Sequence, residues 1–518
     1  MLFLKLVETS ERAGETRSRK AKVEALADAL RELAPDEVEA GVGFLYGELR
    51  QGRIGVGGAK LALLRSVEPS QRAELTIAQV DSSFQHIAGS SGRGSSAERE
   101  HELARLFARA TQKEQHFLVR LLLGELRQGA QEGLMVDAVA KASSLEPDRV
   151  RRALMLSGNL REVARRALQE GPAALSDYRI ELFRPIGPML AGTAPDLQQA
   201  LASFGSAALE DKLDGARVQL HKDGDEVRVF SRQLNDVTGS VPELAALARS
   251  LPARRAILDG EVIALRSDGR PQPFQVTMRR FGRSLDVERL RSQMPLSSLF
   301  FDLLLLDDDE LIDRSNQERR DALGSLLAPE HCIRRLVTAS PDEATAFVAQ
   351  ALDAGHEGVV IKSPNSVYDA GRRGASWLKL KPAHTLDLVV LAVEWGNGRR
   401  QGMLSNLHLG ARDPSAQSFV MLGKTFKGMT DEMLAWQTER LKAIATRHEG
   451  HIVHVKPELV VEIMFDGIQK SSTYPGGMAL RFARVKRYRP DKTPLEADTV
   501  ETVRALFQAG PSEEQGSG

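Results

Sequence analysis

The amino-acid pattern changes near residue 180, and this change is what most limits the folds open to the chain. Up to about residue 175, apolar residues recur at helical spacing, as in the run FLVRLL that starts at Phe117. Beyond about 180, short strand-like runs such as ARVQLH and EVRVFS flank the turn KDGD, which predicts a hairpin centred on Asp223 and Gly224. A chain of 518 residues is also long enough for three or four domains. The sequence therefore predicts several domains of different classes.

Three domains and a tail follow from these elements. Residues 1–178 are predicted to be all-α, residues 179–383 to mix helices and strands, and residues 384–508, where short strands dominate, to form a small β-barrel. The polar tail 509–518, AGPSEEQGSG, is predicted to be disordered. In the first domain, Thr111 and Glu114 form a capping box before a helix that we expect to end near Gly129.

The hexapeptide GELRQG occurs twice in the helical part, at residues 47–52 and 124–129, and suggests a duplicated helical unit. A helix end followed by glycines can bring backbone N–H groups to phosphates, with Arg50 and Arg127 adding positive charge. The simpler interpretation is a helix–helix corner that ends on glycine, and the repeat alone favours it.

The composition excludes several classes of protein. Lys and Arg together number 70, as do Asp and Glu, so no net charge draws the whole chain to DNA or a membrane. The apolar run Leu299–Leu306 contains an aspartate and is far shorter than the ~20 residues of a membrane span. One cysteine, Cys332, excludes an intramolecular disulfide and a multi-cysteine zinc site. The first residues lack the order of a signal peptide. We expect a cytoplasmic protein, nucleoid-associated if bacterial, with no membrane partner.

Charged residues stand inside apolar strings between residues 210 and 382. Lys212 lies in EDKLDGAR, Glu261 in LDGEVIAL and Lys362 at the end of EGVVIK. A single lysine is ordinarily a solvated surface charge, but a buried charge must be paired or face a ligand cavity. Several strands that each bring one charge to a cleft would suit a nucleoside triphosphate with its Mg²⁺. A lysine among further cations loses its proton more readily and can attack the α-phosphorus.

Six strings occur in a fixed order: EDKLDGAR, SRQLNDVTG, LDGEVIAL, FFDLLLLDD, EGVVIK and WLKLKP. Together they resemble the nucleotidyltransferase motifs of ATP-dependent DNA ligases, and KLDG matches the KxDG of that family. RFARVKRYRPDK, at residues 481–492, resembles the last motif of the family. PIGPMLA, at residues 185–191, resembles the segment before the adenylation domain in the archaeal and eukaryotic type, which some bacteria also have. The resemblance implies a multidomain fold with an all-α DNA-binding domain, an α+β adenylation (nucleotidyltransferase) domain and a β-barrel OB-fold domain.

The resemblance also implies a role for individual residues. Lys212 would carry AMP covalently. The ATP-binding residues would be Glu210, Arg217, Arg232, Glu261, Phe301, Lys362, Arg373, Lys379, Lys381 and Arg489. Of these, Glu210 would lie by the adenine. Arg217, Arg232 and Arg373 would contact ribose or phosphate, and the three lysines would face the phosphates. Arg489, together with Lys492, would orient the pyrophosphate. Glu261 and Glu357 would hold the metal ion. Phe301 would stack on adenine, although strand alternation cannot say whether Phe300 or Phe301 faces the ligand. Arg372 is as basic as Arg373, so that choice also stays open.

The reaction implied is the sealing of nicks in double-stranded DNA during replication, recombination or repair, with ATP and Mg²⁺. Lysyl-AMP forms first, AMP then passes to the 5′-phosphate, and the 3′-hydroxyl displaces it. We expect a monomer that binds nicked duplex DNA, with a sliding clamp or repair proteins as further candidate partners. The junction 382–387 is the candidate hinge for a barrel that approaches during self-adenylation and withdraws when DNA binds.

Other classes remain as alternatives. RNA ligases and capping guanylyltransferases share the lysine chemistry, but the long helical segment with its paired GELRQG turns argues against them. An NAD-dependent ligase carries a four-cysteine zinc module, and this chain has one cysteine. A nick-binding scaffold without activity would be expected to lack Lys212 or the metal carboxylates, and the sequence has them all.

Overall fold

The structure is a computed structural model that describes residues 1–16, 18–52, 54–57, 61, 64–90, 92, 94–126, 132–194, 196–282, 287–370, 373–381 and 384–509.

The helical part of the chain has aromatic rings that pack against one another in its core. Among the described residues before 180, the structure has the α-helices Phe3–Glu15, Arg19–Arg31, Val38–Tyr46, Ile77–Gly89, Ser95–Arg109, Gln112–Leu122, Glu132–Ala142, Pro147–Ser157, Leu160–Gln169 and Pro172–Ser176. Phe3 packs edge-on against Phe44 and Phe117, at centroid distances of 6.0 and 5.6 Å.

The capping box predicted from the sequence is present. Thr111 Oγ1 accepts a hydrogen bond from the backbone N–H of Glu114, and the Glu114 carboxylate accepts one from the N–H of Thr111. The expected end near Gly129 is wrong, because the helix stops at Leu122 and Gly124 turns left-handed at φ 69°. Gly129 itself lies outside the described residues.

The first GELRQG segment forms a helix corner. Gly47 ends helix Val38–Tyr46 in the left-handed conformation, at φ 92°. Arg50 is paired with Asp81, with Nη2 2.7 Å from Oδ2, and Gln51 donates to the same carboxylate. This geometry favours the interpretation as a corner, since the Arg50 guanidinium is committed to a carboxylate. In the second copy Arg127 lies outside the described residues.

Two five-stranded sheets form the middle of the chain. The strands are β1 (Leu190–Thr193), β2 (Ala207–Asp211), β3 (Ala216–Asp223), β4 (Glu226–Ser231), β5 (Arg255–Ala264), β6 (Leu296–Leu306), β7 (Asp309–Glu310), β8 (Arg335–Thr338), β9 (Val359–Lys362) and β10 (Arg373–Leu380). One sheet has the order β1-β10-β9-β2-β8 and the other β4-β3-β5-β6-β7. The helices are Leu197–Phe204, Pro242–Ser250, Phe274–Phe281, Val287–Gln293, Asn316–Leu326 and Pro341–Asp353. The predicted hairpin is formed by β3 and β4, with Asp223 opposite Glu226.

The last part of the chain is built around a seven-stranded antiparallel sheet. Its strands are β11 (His384–Trp395), β12 (Leu404–Asp413), β13 (Ser418–Thr425), β14 (Ala445–Glu449), β15 (Ile452–Val455), β16 (Val460–Phe465) and β19 (Arg484–Tyr488). A separate hairpin joins β17 (Gly467–Lys470) to β18 (Met478–Arg481). Two helices, Asp431–Ala443 and Val500–Ala509, accompany this sheet. Ala509, expected in the tail, ends the second helix, and residues 510–518 lie outside the described part.

The helical part and the middle part are packed together. One hydrophobic cluster extends from Met155 in helix Pro147–Ser157 to Tyr368 and Trp377. Arg152 makes a bidentate ion pair with Asp313 across the boundary, at 2.7 and 2.6 Å. None of the helices in the described ranges has the length and apolar character needed to cross a membrane.

Candidate active site

A cavity of about 250 Å³ lies where the two five-stranded sheets face each other. Both sheets line it, so strands that are far apart in sequence contribute side chains to one space. The predicted site residues that line it are Glu210, Lys212, Arg217, Arg232, Glu261, Phe301, Lys362 and Lys379. The strings identified in the sequence are therefore brought together by the fold.

Lys212 lies at one end of this cavity beside a carboxylate that two lysines share. Its Nζ is 2.5 Å from Oε2 of Glu357, and Nζ of Lys381 is 2.7 Å from the same oxygen. The backbone fixes this arrangement, since Lys212 N–H donates to Gly358 O at 2.9 Å and Glu357 N–H donates to Lys212 O at 3.0 Å. Gly358 has φ 137°, and a Cβ there would lie 2.2 Å from Leu380 O, so only glycine allows this approach.

Two further carboxylates border the same end. The backbone N–H of Gly215 donates to Oε1 of Glu261 at 2.9 Å. A Cβ on Gly215 would meet Val262 O at 2.4 Å, which explains the glycine of KLDG. Burial raises the pKa of Glu261 to about 7. Burial, together with the charge of Glu357, also raises the pKa of Asp214. Burial favours the neutral form of these two carboxyl groups, and a nearby cation would favour their ionised form.

The carboxylate oxygens suit a hard divalent cation. Glu261 and Glu357 both lie beside Lys212, and Mg²⁺ prefers such oxygen ligands. Within the described ranges, no three His, Cys, Asp or Glu side chains are grouped so as to hold a metal on their own. A magnesium ion here would complete its shell with phosphate and water, as is usual for this ion.

The other end of the cavity is aromatic. Phe301 meets Trp377 edge-on at a centroid distance of 5.9 Å. The ammonium of Lys362 lies 4.6 Å from the centroid of Phe301 and 4.0 Å from that of Trp377. It is also 2.5 Å from Oε2 of Glu210. Lys362, expected to face phosphates, is thus beside the flat rings and Glu210, and burial lowers its pKa.

Phe301, not Phe300, reaches the cavity. Phe300 is buried in the core between the β3–β7 sheet and its helices. In the pairing of β5 with β6, Asp259 is opposite Asp302 and Gly260 is opposite Phe300, so Phe301 is skipped. By ordinary strand alternation, Phe300 and Phe301 point to opposite faces of the sheet. Phe301 is the ring that lines the cavity, and its stacking on adenine stays a prediction.

Arg217 is held within the wall of the cavity. Its guanidinium donates to both oxygens of Asp259, at 2.9 and 2.6 Å, and to Met189 O at 2.6 Å. Tyr368 donates to the same aspartate at 2.7 Å. The ion pair with Asp259 raises the pKa of Arg217 against the effect of burial. Most of its donors are already used, so the expected contact with ribose or phosphate stays a prediction.

The remaining predicted residues differ in position. Arg232 is exposed and lies at the rim, and Lys379 extends from β10 into the lining. Arg373 begins β10, but its side chain is outside the described part of the structure, and so is Arg372. The choice between these two arginines therefore stays open.

Arg489 is not brought to the cavity in this structure. Its Nη1 is 2.9 Å from Oδ2 of Asp387, and Nζ of Lys492 is 2.6 Å from the same oxygen. Other residues of the sheet domain, the part of the chain from residue 384 to 509, approach the Lys212 end of the cavity instead. Nη1 of Arg481 lies 3.9 Å from Oδ2 of Asp214, and Oδ2 of Asp466 lies 3.9 Å from Nζ of Lys381.

Sequence reasoning missed several residues of this site. Trp377 forms a cavity wall, and only its place at the start of WLKLKP could have drawn attention to it. Asp259 was equally visible as a carboxylate in LDGEVIAL, a buried charge that needs a partner. Tyr368 and Arg335 stand outside the six strings, so no local signal singled them out.

Comparisons with known proteins match three successive parts of the chain to one family. Residues 59–140 match the family model "DNA ligase N terminus", residues 188–381 match "ATP dependent DNA ligase domain", and residues 400–492 match "ATP dependent DNA ligase C terminal region". A "Probable DNA ligase" of Anaeromyxobacter sp. (strain Fw109-5) is 57% identical over 519 residues, with 100% of both chains covered. One of Sorangium cellulosum is 53% identical over 520 residues, with 100% of this chain and 98% of the relative covered.

The fold has counterparts among solved structures. The structure named "Pmar-Lig_PreS3" aligns with a TM-score of 0.60 at 19% identity, and covers 93% of this chain and 99% of its own. At that identity the likeness concerns the fold alone, and it extends over helical, middle and sheet parts together. With the family models and the full-length relatives, it leads to one assignment: the chain belongs to the ATP-dependent DNA ligases, a family of nucleotidyltransferases.

Proposed function

We propose that this ligase seals nicks in double-stranded DNA, with Lys212 as the nucleophile that carries AMP. The observation that carries the proposal is the position of the Lys212 ammonium. It lies in a cavity with cations and carboxylates at one end and flat rings at the other. A nucleoside triphosphate has the same division between a charged phosphate end and a flat base. Lys212 at the charged end is within reach of an α-phosphorus bound there.

The base would lie between Phe301 and the polar pair Glu210–Lys362. An ionised carboxylate only accepts hydrogen bonds and an ammonium only donates them. Adenine presents an amino donor beside a ring-nitrogen acceptor, so this pair can bind both. Phe301 and Trp377 supply apolar surface for the ring.

Self-adenylation would begin with loss of a proton from Lys212. Its ammonium is now paired with Glu357 at 2.5 Å, and the proton would pass to solvent once this ion pair opens. The free amine would attack the α-phosphorus, a P–N bond would form, and pyrophosphate would leave in line with it. Lys381, on the same carboxylate, and Lys379 would neutralise the phosphates. A magnesium ion held by Glu261 and Glu357 would supply further charge neutralisation.

The sheet domain would contribute its last motif only in a second position. Arg489 and Lys492 are held by Asp387, on strand β11, while Arg481 and Asp466 face the Lys212 end. For Arg489 to orient pyrophosphate, the domain must turn about the junction 382–387, of which residues 382 and 383 are outside the described range. We infer that the present arrangement corresponds to the later steps, in which the last motif is withdrawn.

In those later steps DNA would replace pyrophosphate as the partner of lysyl-AMP. An oxygen of the 5′-phosphate would attack the AMP phosphorus and release the Lys212 amine. The 3′-hydroxyl would then attack the 5′-phosphate and release AMP. Residues 1–178 would form the DNA-binding domain, residues 179–383 the adenylation domain and residues 384–508 the OB-fold domain. We propose a monomer in the cytoplasm, associated with the nucleoid if the source is bacterial, with a sliding clamp or repair proteins as candidate partners.

The test is adenylation of the full chain followed by sealing. Wild-type protein incubated with α-labelled ATP should gain a label that is stable to alkali and labile to acid, as a P–N bond is, and that maps to Lys212, and Lys212→Ala should gain none. Lys456→Ala, which removes an exposed lysine of the sheet domain, is the matched control and should label normally. Sealing of a nicked duplex should require ATP and not NAD. Equal labelling by GTP, or a label at another residue, would contradict the proposal.

A further inference from the structure

Arg335 is a buried arginine that belongs to none of the six strings. It lies on β8 directly opposite Glu210 on β2, in antiparallel register. Its side chain is 7% exposed and that of Glu210 is 2% exposed. Nη1 of Arg335 donates to Oε1 of Glu210 at 2.8 Å, while Oε2 faces the ammonium of Lys362 at 2.5 Å. Each oxygen of this one carboxylate therefore has its own cation.

The guanidinium is held from behind by a helix end. Nη1 also donates to Oδ1 of Asn316 at 2.9 Å, and Nη2 donates to Oε1 of Gln317 at 3.1 Å. These two residues begin helix Asn316–Leu326. The helix is anchored in turn by Arg319, which forms a fully buried ion pair with Asp302 at 2.7 Å. These contacts hold the guanidinium of Arg335 in one position, so it does not move with the Glu210 side chain.

The two cations fix the direction of the Glu210 carboxylate, because each of them contacts one of its oxygens. With Oε1 tied to Arg335, the carboxylate cannot rotate toward Lys362 alone. In a buried site, such orientation decides how much a hydrogen bond to the carboxylate contributes to binding.

We propose that Arg335 is a positioning residue for base recognition. It keeps the Glu210 carboxylate oriented to accept a hydrogen bond from the 6-amino group of adenine, while the ammonium of Lys362, paired with the other oxygen, has further N–H groups for the ring. Arg335 itself would not touch the nucleotide. This inference rests on the proposed function, since it takes Lys212 adenylation as the reaction of the cavity.

The test compares ATP with purine riboside triphosphate, which lacks only the 6-amino group. The measured quantity is the ratio of kcat/KM for labelling of Lys212 by the two nucleotides. A hydrogen bond to an ionised group predicts that wild-type protein prefers ATP by about ten- to a hundredfold. In Arg335→Met the ratio should fall to within about threefold of unity, mainly through a higher KM for ATP. Arg335→Lys, which restores one charged donor, should give an intermediate ratio.

A purely structural role makes a different prediction. If Arg335 served only stability, Arg335→Met would lower labelling by both nucleotides equally and leave the ratio unchanged, which would overturn the inference. The ratio is independent of how much of a preparation is folded, because both nucleotides are tested on the same protein. Should Arg335→Met not fold, Asn316→Ala, which removes one acceptor behind the guanidinium, should shift the ratio in the same direction.

The matched control is the neighbouring arginine. Arg334 pairs with Asp211 at 2.7 Å and not with Glu210, so Arg334→Met should keep the wild-type ratio. Failure of the proposed function would look different, because wild-type protein would then gain no label from ATP. Labelling by ATP with an unaltered ratio in Arg335→Met would reject the role of Arg335 alone.

Discussion

Binding of Mg²⁺ near Lys212 should release a proton at neutral pH. Burial raises the pKa of Glu261 from 4.5 to about 7. At pH 7 about half of the molecules then carry a proton on Glu261, at pH 6 about nine-tenths and at pH 8 about one-tenth. An ordinary glutamate would be protonated in less than about 1% of molecules at pH 7. A cation that binds the ionised form displaces this proton.

The assay is calorimetric titration of the nucleotide-free protein with MgCl₂ in two buffers of different ionisation enthalpy. The difference between the apparent enthalpies gives the number of protons released, expected to be about 0.5 per ion at pH 7 and to rise toward about 0.9 at pH 6. Asp214, whose pKa is also raised, would add to this number. Glu261→Gln is the control, because an amide has no proton to lose.

The raised pKa of Glu261 also determines how the free energy of unfolding and the affinity for Mg²⁺ change with pH. Between pH 4.5 and about 7 the folded chain holds a proton on Glu261 that the unfolded chain has lost. The free energy of unfolding due to this group therefore falls as the pH rises through that interval, while the affinity for Mg²⁺ rises and levels off above pH 7. An apparent enthalpy that is the same in both buffers at pH 6 and 7 would refute this reasoning about Glu261.

Three further substitutions separate chemistry, stability and geometry. Lys212→Ala should abolish the AMP adduct but change the affinity for nicked duplex by no more than a few-fold, because phosphate contacts are spread over many cations; loss of binding in gel-shift titrations would contradict this. Tyr368→Phe should lower the free energy of unfolding by about 1.5–3 kcal/mol in urea titrations, since it removes a buried hydrogen bond to Asp259; a change below about 0.5 kcal/mol would count against it. Gly358→Ala should prevent labelling of Lys212 even where the circular dichroism spectrum is native, because its Cβ would lie 2.2 Å from Leu380 O; normal labelling would show that the backbone pairing at Lys212 tolerates displacement.

The residues of the site were predictable from sequence to the extent that they lie in short strings with one charge among apolar neighbours. Such strings form strands, and here the strands of two sheets bring Lys212, Glu261 and Lys362 to one cavity. Local signals at helix starts were equally informative, as the capping box at Thr111 shows. The end of that helix was not predictable in the same way, because either glycine of GELRQG could end it.

Pairings between distant segments could not be read from the sequence. Arg217 and Arg335 are both basic residues within strands, β3 and β8, and each holds a buried carboxylate, Asp259 or Glu210. The first pairing depends on the register of β3 with β5, the second on that of β2 with β8. A tight turn fixes the register of a hairpin, but no such turn joins β3 to β5 or β2 to β8, so neither register could be read from one strand alone. The sequence thus predicts which charges need partners but not which partners they find.

Phe301, an extra residue in strand β6, links features of both sheets that line the aromatic end of the cavity. Phe301 faces the cavity and Phe300 the core, and the pairing of β5 with β6 skips Phe301. The same irregularity places Asp302 opposite Asp259, where it pairs with Arg319 and fixes helix Asn316–Leu326. The start of this helix holds Arg335, and Arg335 holds Glu210. Removal of the extra residue would therefore disturb ring stacking and the carboxylate together, although Phe301 and Glu210 come from different sheets.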